Sequence, residues 1–158
     1  MATSASEARR YASLTRRVTF EAEHRYYRED WSPEENVRTF GRAAKAAFHG
    51  HTYVCDVTVR GPVEEASGMV IDLDELDAVL EREVRDRFDG RRINLDVPEF
   101  TDGHLVPSCE NLASFIFDRV QSALGARIAL ARVIVRESES LSAEVGRGLA
   151  DDGREGAP

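Results

Sequence analysis

A chain of 158 residues, 42% of them hydrophobic, is long enough for one domain with a full core, and a formal net charge of −8 with arginines scattered among carboxylates argues against a phosphate-backbone binder. No apolar run is long enough to span a bilayer, and the first ten residues lack the apolar segment of a secretory leader. Two cysteines, Cys55 and Cys109, do not make a disulfide framework, so a cytoplasmic protein that binds neither nucleic acid nor membrane is expected.

Residues 1–14 are rich in Ala, Ser and Arg, and residues 149–158 in Gly, Asp and Glu. Both are expected to be loose tails around a domain at 15–148, because they hold too little apolar surface to order themselves. Residues 17–24 read as a first strand. Ser32-Pro33-Glu34-Glu35 is a helix start, with Ser at the N-cap, Pro at the first helical position and acids in the first turn. That helix is expected to reach Phe40 and stop at Gly41, and 42–48 reads equally as a helical turn or a loop. Residues 51–60 are dense in β-branched side chains and end at Gly61-Pro62, which makes them the clearest strand. A short apolar strand is expected at 69–73. Asp72 and Asp74 then offer caps for a helix whose Leu76, Val79, Leu80, Val84 and Phe88 form one buried stripe, ended by Asp89-Gly90. Residues 94–100, with Pro98, read as an extended loop. Ser108 caps a second helix carrying Leu112, Phe115, Ile116, Val120 and Leu124 on one face, closed by Gly125. A last long strand is expected at 129–136 and a short return strand at 141–145. Runs of strands with paired helices predict an α+β fold, helices on one face of an antiparallel sheet, the other face polar or covered by a partner.

The chemistry concentrates in His49-Gly50-His51 and His24. Two histidines one residue apart on a strand point to the same face. If the strand ending at His24 lies beside them, three imidazoles converge. Three neutral imidazoles with a fourth position open form the ligand set of a catalytic zinc site.

Beyond these histidines the chain carries Phe20-x-Ala22-x-His24, Pro33-Glu34-Glu35-Asn36, His49-Gly50-His51-Thr52-Tyr53, Val59-Arg60-Gly61, Gly68-Met69-Val70-x-Asp72-Leu73, Asn94-Leu95-Asp96-Val97-Pro98, Glu110-Asn111-Leu112 and Arg136-Glu137-Ser138. In order and spacing these resemble the 6-pyruvoyl-tetrahydropterin synthase and 6-carboxytetrahydropterin synthase family of the tunnelling fold, over residues 17–148. The resemblance implies a four-stranded antiparallel sheet with two helices on one face. It implies assembly into a barrel, often a hexamer built as a dimer of trimers, with active sites between subunits. It implies a catalytic Zn2+ on His24, His49 and His51, a pterin ring anchored by Glu137, and Glu110 near that pocket. Family enzymes act on 7,8-dihydroneopterin triphosphate. A carboxylate suits a pterin because it accepts two adjacent N–H donors with charge-assisted strength.

The chain departs from the family where protons move. The family's base relay is a cysteine before the H-G-H motif together with an Asp-His pair after the first long helix. Here the cysteine position is Ala43 and the pair reads Asp89-Gly90. Losing a positioned general base costs on the order of 10²–10⁴-fold. Asp89 and His104 are the candidate catalytic replacements, with Cys109, Tyr26 and Tyr27 as further proton carriers and Lys45 as a phosphate contact. Each has a plainer alternative: helix end for Asp89, loop for His104, small buried residue for Cys109, solvation for Lys45. Three functions follow. The first is a zinc-dependent lyase or cyclase with altered chemistry on a pterin-like or polyoxygenated molecule in a specialised biosynthetic pathway. The second is a non-catalytic pterin- or metabolite-binding paralogue. The third is 6-carboxytetrahydropterin synthase proper.

Overall fold

The computed structural model describes residues 9–45, 47–103 and 105–148. Two long strands dominate it, β1 (Tyr11–His24) and β2 (His49–Pro62), paired antiparallel along their whole length. β1 begins at Tyr11 rather than at residue 17. Residues 11–14, grouped with the tail by composition, pair with 59–62 of β2, so backbone hydrogen bonding supplies what their side chains do not signal.

Between these strands α1 (Pro33–Phe40) starts as its sequence predicts. The Ser32 hydroxyl accepts from the Glu35 N–H at 3.1 Å, and the Glu35 carboxylate accepts from the Ser32 N–H at 3.3 Å. Gly41, at φ +58°, closes it. The ambiguous segment that follows is a 3₁₀ turn, Gly41–Lys45.

Residues 69–73 do not form the expected strand. They are loop up to α2 (Leu73–Leu80), whose N-cap Asp72 accepts from the Asp74 N–H at 2.8 Å. The long predicted helix is real but interrupted. It continues from α2 through a π turn (Glu81–Arg85) into α3 (Asp86–Phe88). Leu76, Val79, Leu80, Val84 and Phe88 are all buried, so the apolar stripe survives the widened turn.

Three further short elements follow, one that adds to the sheet and two that replace the expected extended loop. β3 (Arg91–Arg92) runs parallel to the end of β1, opposite Ala22 and Glu23. A helical turn α4 (Ile93–Asp96) and a 3₁₀ stretch (Pro98–Gly103) follow. α5 (Cys109–Leu124), capped by Ser108, leads to β4 (Ala129–Arg136) and β5 (Ser142–Gly146).

The sheet is therefore five-stranded and mixed, ordered β3-β1-β2-β4-β5, rather than four-stranded and purely antiparallel. The helices cover one face. Phe20, Tyr53, Cys55, Val57, Val59, Val133 and Val135 from the strands meet Leu76, Phe88, Leu112, Ile116 and Val120 in one core. The opposite face is polar, as expected. There the Thr15 and Thr58 hydroxyls lie 2.8 Å apart, and the Asp56 carboxylate accepts from Arg17 at 2.7 and 3.0 Å and from Arg136 at 2.6 Å. Among the described residues no helix is long and apolar enough to cross a membrane.

Candidate metal centre

The register of β1 on β2 builds the site. His24 is paired directly with His49, and Ala22 with His51. Residues 20, 22 and 24 alternate onto the core face with 49, 51 and 53, so the three imidazoles stack at the end of the core rather than on the polar face. Their ring centroids are 4.6 Å (His24–His49), 5.1 Å (His24–His51) and 4.9 Å (His49–His51) apart. The convergence expected from sequence is thus observed.

A carboxylate joins them. β4 places Arg136 opposite Val54 on the polar face, so Glu137, one residue further, turns to the core side next to His51. One ligand atom from each of His24, His49, His51 and Glu137 lies within 4.8 Å of the others. Glu137 Oε1 is 3.2 Å from His51 Nε2 and 3.6 Å from His24 Nε2. A ring held by Glu137 would therefore sit directly against the imidazoles.

The donor set fits a divalent cation. His24 is fully buried, and its Nδ1–H donates to the Pro107 carbonyl at 2.7 Å. That bond fixes the tautomer and leaves the Nε2 lone pair facing its neighbours. Burial pushes the His24 pKa down to about 4, with smaller contributions from His49 and His51, so the ring is neutral near pH 7, as a ligand must be. His24 Nε2, His51 Nε2 and Glu137 Oε2 are all buried without a hydrogen-bond partner. Each such orphan costs about 1–3 kcal/mol, and one cation among them would satisfy all three. His49 is half-buried, with its Nδ1 donating to Ala47 O at 3.3 Å.

The surrounding phenol and thiol groups are held in their protonated forms. Tyr26, its ring 5.4 Å from that of His24, has its pKa pushed up to about 12 by burial and then by the charges of Glu137, Cys109 and Glu110. Tyr53, stacked on Phe20 at 4.9 Å, has a buried hydroxyl without a partner, and burial raises its pKa as well. Cys109 is buried, its thiol directed at Val135 O at 3.4 Å and pushed up to about 11 mainly by burial. Cys55 is in the core, pushed up to about 12 for the same reason. Neither thiol is a ready nucleophile.

Of the remaining candidates, those among the described residues lie outside this four-residue group. Glu110 is exposed in the first turn of α5, outside the four-residue group. Asp89 is exposed, and its carboxylate accepts from the Glu21 N–H at 2.8 Å while Gly90 N–H donates to Glu21 O at 2.7 Å. Within one chain, Asp89 locks β3 onto β1 and does not reach the imidazoles. Gly90, at φ +69°, makes this turn in a conformation that side chains other than glycine rarely adopt. Ala43 is half-buried in the 3₁₀ turn, whose ionisable side chains are Arg42 and Lys45. His104 lies outside the described residues. Sequence reasoning missed the approach of Glu137 to the imidazoles. The signal was there in part: once β4 pairs with β2, the residue after Arg136 must return to the core face.

Comparison with known proteins identifies the family of the chain. Residues 13–147 match the family described as 6-pyruvoyl tetrahydropterin synthase. The human 6-pyruvoyl tetrahydrobiopterin synthase is 36% identical over 140 residues, covering 89% of this chain and 94% of that protein. The Pongo abelii 6-pyruvoyl tetrahydrobiopterin synthase is 37% identical over 124 residues, covering 78% and 84%. The solved structure of Caenorhabditis elegans 6-pyruvoyl tetrahydropterin synthase superposes with a TM-score of 0.79 at 31% identity, covering 87% of this chain and 96% of that one.

Proposed function

The chain belongs to the 6-pyruvoyl tetrahydropterin synthase family, and from that premise we propose that it is a zinc-dependent lyase or cyclase acting on a pterin-like, polyoxygenated small molecule by an altered proton-transfer route. The observation that carries this reading is the group His24, His49, His51 and Glu137, which offer four ligand atoms within 4.8 Å of one another, three of these residues carrying a buried orphan atom. When bound there, zinc would supply Lewis-acid polarisation of substrate oxygens.

The chain's own residues do the rest. The Pro107 carbonyl orients His24 and holds its Nδ1 proton. The Glu137 carboxylate faces the space where a substrate would meet the imidazoles and offers acceptor lone pairs to its N–H or O–H groups. Tyr26 and Tyr53, kept protonated by burial, offer O–H donors to the same space. Ala43 and Gly90 leave the family's relay without its thiol and its imidazole. Asp89 reaches a site only if a second copy brings it there, consistent with the interfacial sites and the hexamer that family membership suggests. That same loss favours one second reading, a binding paralogue that holds metal and pterin without turnover. The soluble, cytoplasmic setting expected from sequence belongs to both readings.

The two readings separate in one experiment. Purified zinc-loaded protein is incubated with 7,8-dihydroneopterin triphosphate and the products are resolved by chromatography. A new pterin product supports the enzyme. Binding without product supports the paralogue. Metal-free protein at neutral pH, or His49→Ala that keeps its zinc, refutes both.

A further inference from the structure

Two segments of the chain, Asn94-Leu95-Asp96-Val97-Pro98 and Pro33-Glu34-Glu35-Asn36, take no part in the function proposed above. Each supplies one buried asparagine, Asn94 at 8% exposure and Asn36 fully enclosed. The two side chains make the same pair of bonds to a stretch of backbone. Asn94 Oδ1 accepts from the Arg25 N–H at 3.0 Å, and its Nδ2 donates to the Arg25 carbonyl at 3.1 Å. Asn36 Oδ1 accepts from the Arg28 N–H at 2.7 Å, and its Nδ2 donates to the Arg28 carbonyl at 2.8 Å. A carboxamide offers an acceptor and a donor, as a peptide unit does, so each side chain stands in for a strand neighbour.

One of these two grips lies next to an imidazole of the cluster. The pairing of β1 with β2 ends at His24 opposite His49, and β3 flanks β1 as far as Glu23. Asn94, in the turn that follows β3, takes hold at Arg25. His24 is thus held along the chain from both sides, by the sheet before it and by Asn94 after it. Its ring is fixed separately, through the Nδ1–H bond to the Pro107 carbonyl at 2.7 Å. Backbone and ring together set where Nε2 points, and a metal site tolerates ligand distances only within about 0.2 Å. Asn36 grips the chain further on, past Tyr26 and Tyr27. It also donates to the Ser32 carbonyl at 3.1 Å, so its removal breaks at least as many hydrogen bonds as that of Asn94.

We infer that Asn94 is a positioning residue for the metal centre: standing in for a strand partner at Arg25, it holds the end of β1 so that His24 Nε2 meets His49, His51 and Glu137. The inference rests on the zinc centre proposed above and adds to it a residue outside the four ligating side chains. Groups that act one step behind the ligands are worth about 10–100-fold in metal affinity. Asn36 has equivalent bonds at a place where they touch no ligand, and it is therefore the matched control.

The test compares Asn94→Ala with Asn36→Ala in the full chain. Zinc affinity is measured by competition with a chromophoric chelator, and the visible spectrum of the cobalt(II) form reports the geometry around the ion. Thermal unfolding of the metal-free proteins ranks their stability. Because the ion binds the folded form, lost stability by itself does not weaken binding to a variant that stays folded. Asn94→Ala is expected to bind zinc about 10–100-fold more weakly and to change the cobalt spectrum. Asn36→Ala is expected to melt at least as far below the wild type, yet to keep wild-type zinc affinity and the wild-type spectrum. If either alanine variant does not fold, Asn94→Ser and Asn36→Ser decide, since a hydroxyl can keep one of the two bonds; the same contrast is expected with a smaller loss at residue 94. A folded Asn94 variant with wild-type affinity and spectrum overturns the positioning role and leaves the metal centre standing. Equal weakening by the residue 36 and residue 94 variants also overturns it, because the effect is then general loosening of the fold. A wild type that takes up neither zinc nor cobalt refutes the metal centre itself, and the role of Asn94 falls with it.

Discussion

Zinc added to metal-stripped protein should raise its melting temperature, and the size of the rise follows from the site. In the metal-free fold three buried polar atoms, His24 Nε2, His51 Nε2 and Glu137 Oε2, lack partners. The unfolded chain hydrates all three, so the ion binds the folded form selectively. At a free zinc concentration one hundred times the dissociation constant, selective binding stabilises the fold by about 2.7 kcal/mol. For a domain of this size each kcal/mol moves the midpoint by about 2–4 °C, which gives a rise of about 5–11 °C. His49→Ala is the matching variant, because His49 is only half-buried and its removal opens no core cavity, whereas His24 is fully enclosed. The variant should melt close to the metal-free wild type and gain little from zinc. The assay is thermal unfolding followed by circular dichroism, with magnesium as the control cation. A wild type indifferent to zinc, or a His49→Ala protein that gains as much as the wild type, would falsify the metal centre.

Acid should destabilise the metal-free protein through His24. Its folded pKa of about 4 lies below the ordinary 6.5, so between those values the unfolded chain takes up a proton that the folded chain refuses. Stability is then lost as pH falls from about 6.5 toward 4, by up to about 3 kcal/mol. Urea unfolding across that window should show a steeper loss for the wild type than for His24→Gln, and parallel slopes would contradict the assignment. Both thiols should be silent toward Ellman's reagent in the native protein at pH 8 and react fully in denaturant, because burial raises them to about 12 and 11; rapid native modification of Cys109 would restore it as a nucleophile candidate. Asp89→Ala should lose about 1 kcal/mol, the worth of one exposed hydrogen bond to the Glu21 N–H, and keep its zinc. Zinc loss in that variant would place Asp89 nearer the ligands than the fold does.

What could be read from sequence had a local cause. The start of α1 was legible because Ser32, Pro33 and Glu35 act within one turn, and β2 because Thr52, Val54, Val57, Thr58 and Val59 make it dense in β-branched residues. The three histidines were legible because period-two alternation fixes their faces, and the pairing of β1 with β2 needed only to be assumed. The missed features depend on distant partners. β3 is two arginines with no strand pattern, held against β1 by Asp89 and Gly90. Residues 69–73 look like a strand, yet Val70 packs against the backbone of Gly61, where even an added Cβ would lie 3.0 Å from Val70 Cγ1, and these residues join no sheet. The π turn inside the long helix brings buried Glu83 to Arg119 on α5 at 2.8 Å, a contact that the apolar stripe does not encode. Glu137 was legible as a motif residue, but its place beside His51 follows from the β2–β4 register.

The absent relay leaves a narrow choice for the group that takes a proton. Tyr26, Tyr53 and Cys109 border the cluster, and burial raises all three, so near neutrality they donate and do not accept. The imidazoles, if they hold zinc, have spent their lone pairs. Among the described residues Glu137 is then the carboxylate in direct contact with the imidazoles, and it accepts a proton through whichever oxygen does not hold the ion. Under the proposed function Glu137→Gln preserves the shape, removes the basic oxygen and should lower turnover by about 10²–10⁴-fold. Zinc content, measured in parallel, separates a lost acceptor from a collapsed metal centre. If turnover persists in a zinc-loaded Glu137→Gln protein, the proton goes elsewhere, and Asp89 supplied by a second copy becomes the group to remove next. Loss in Glu137→Gln with full activity in Asp89→Ala places the chemistry inside a single chain, in a family whose sites are expected to be shared between subunits.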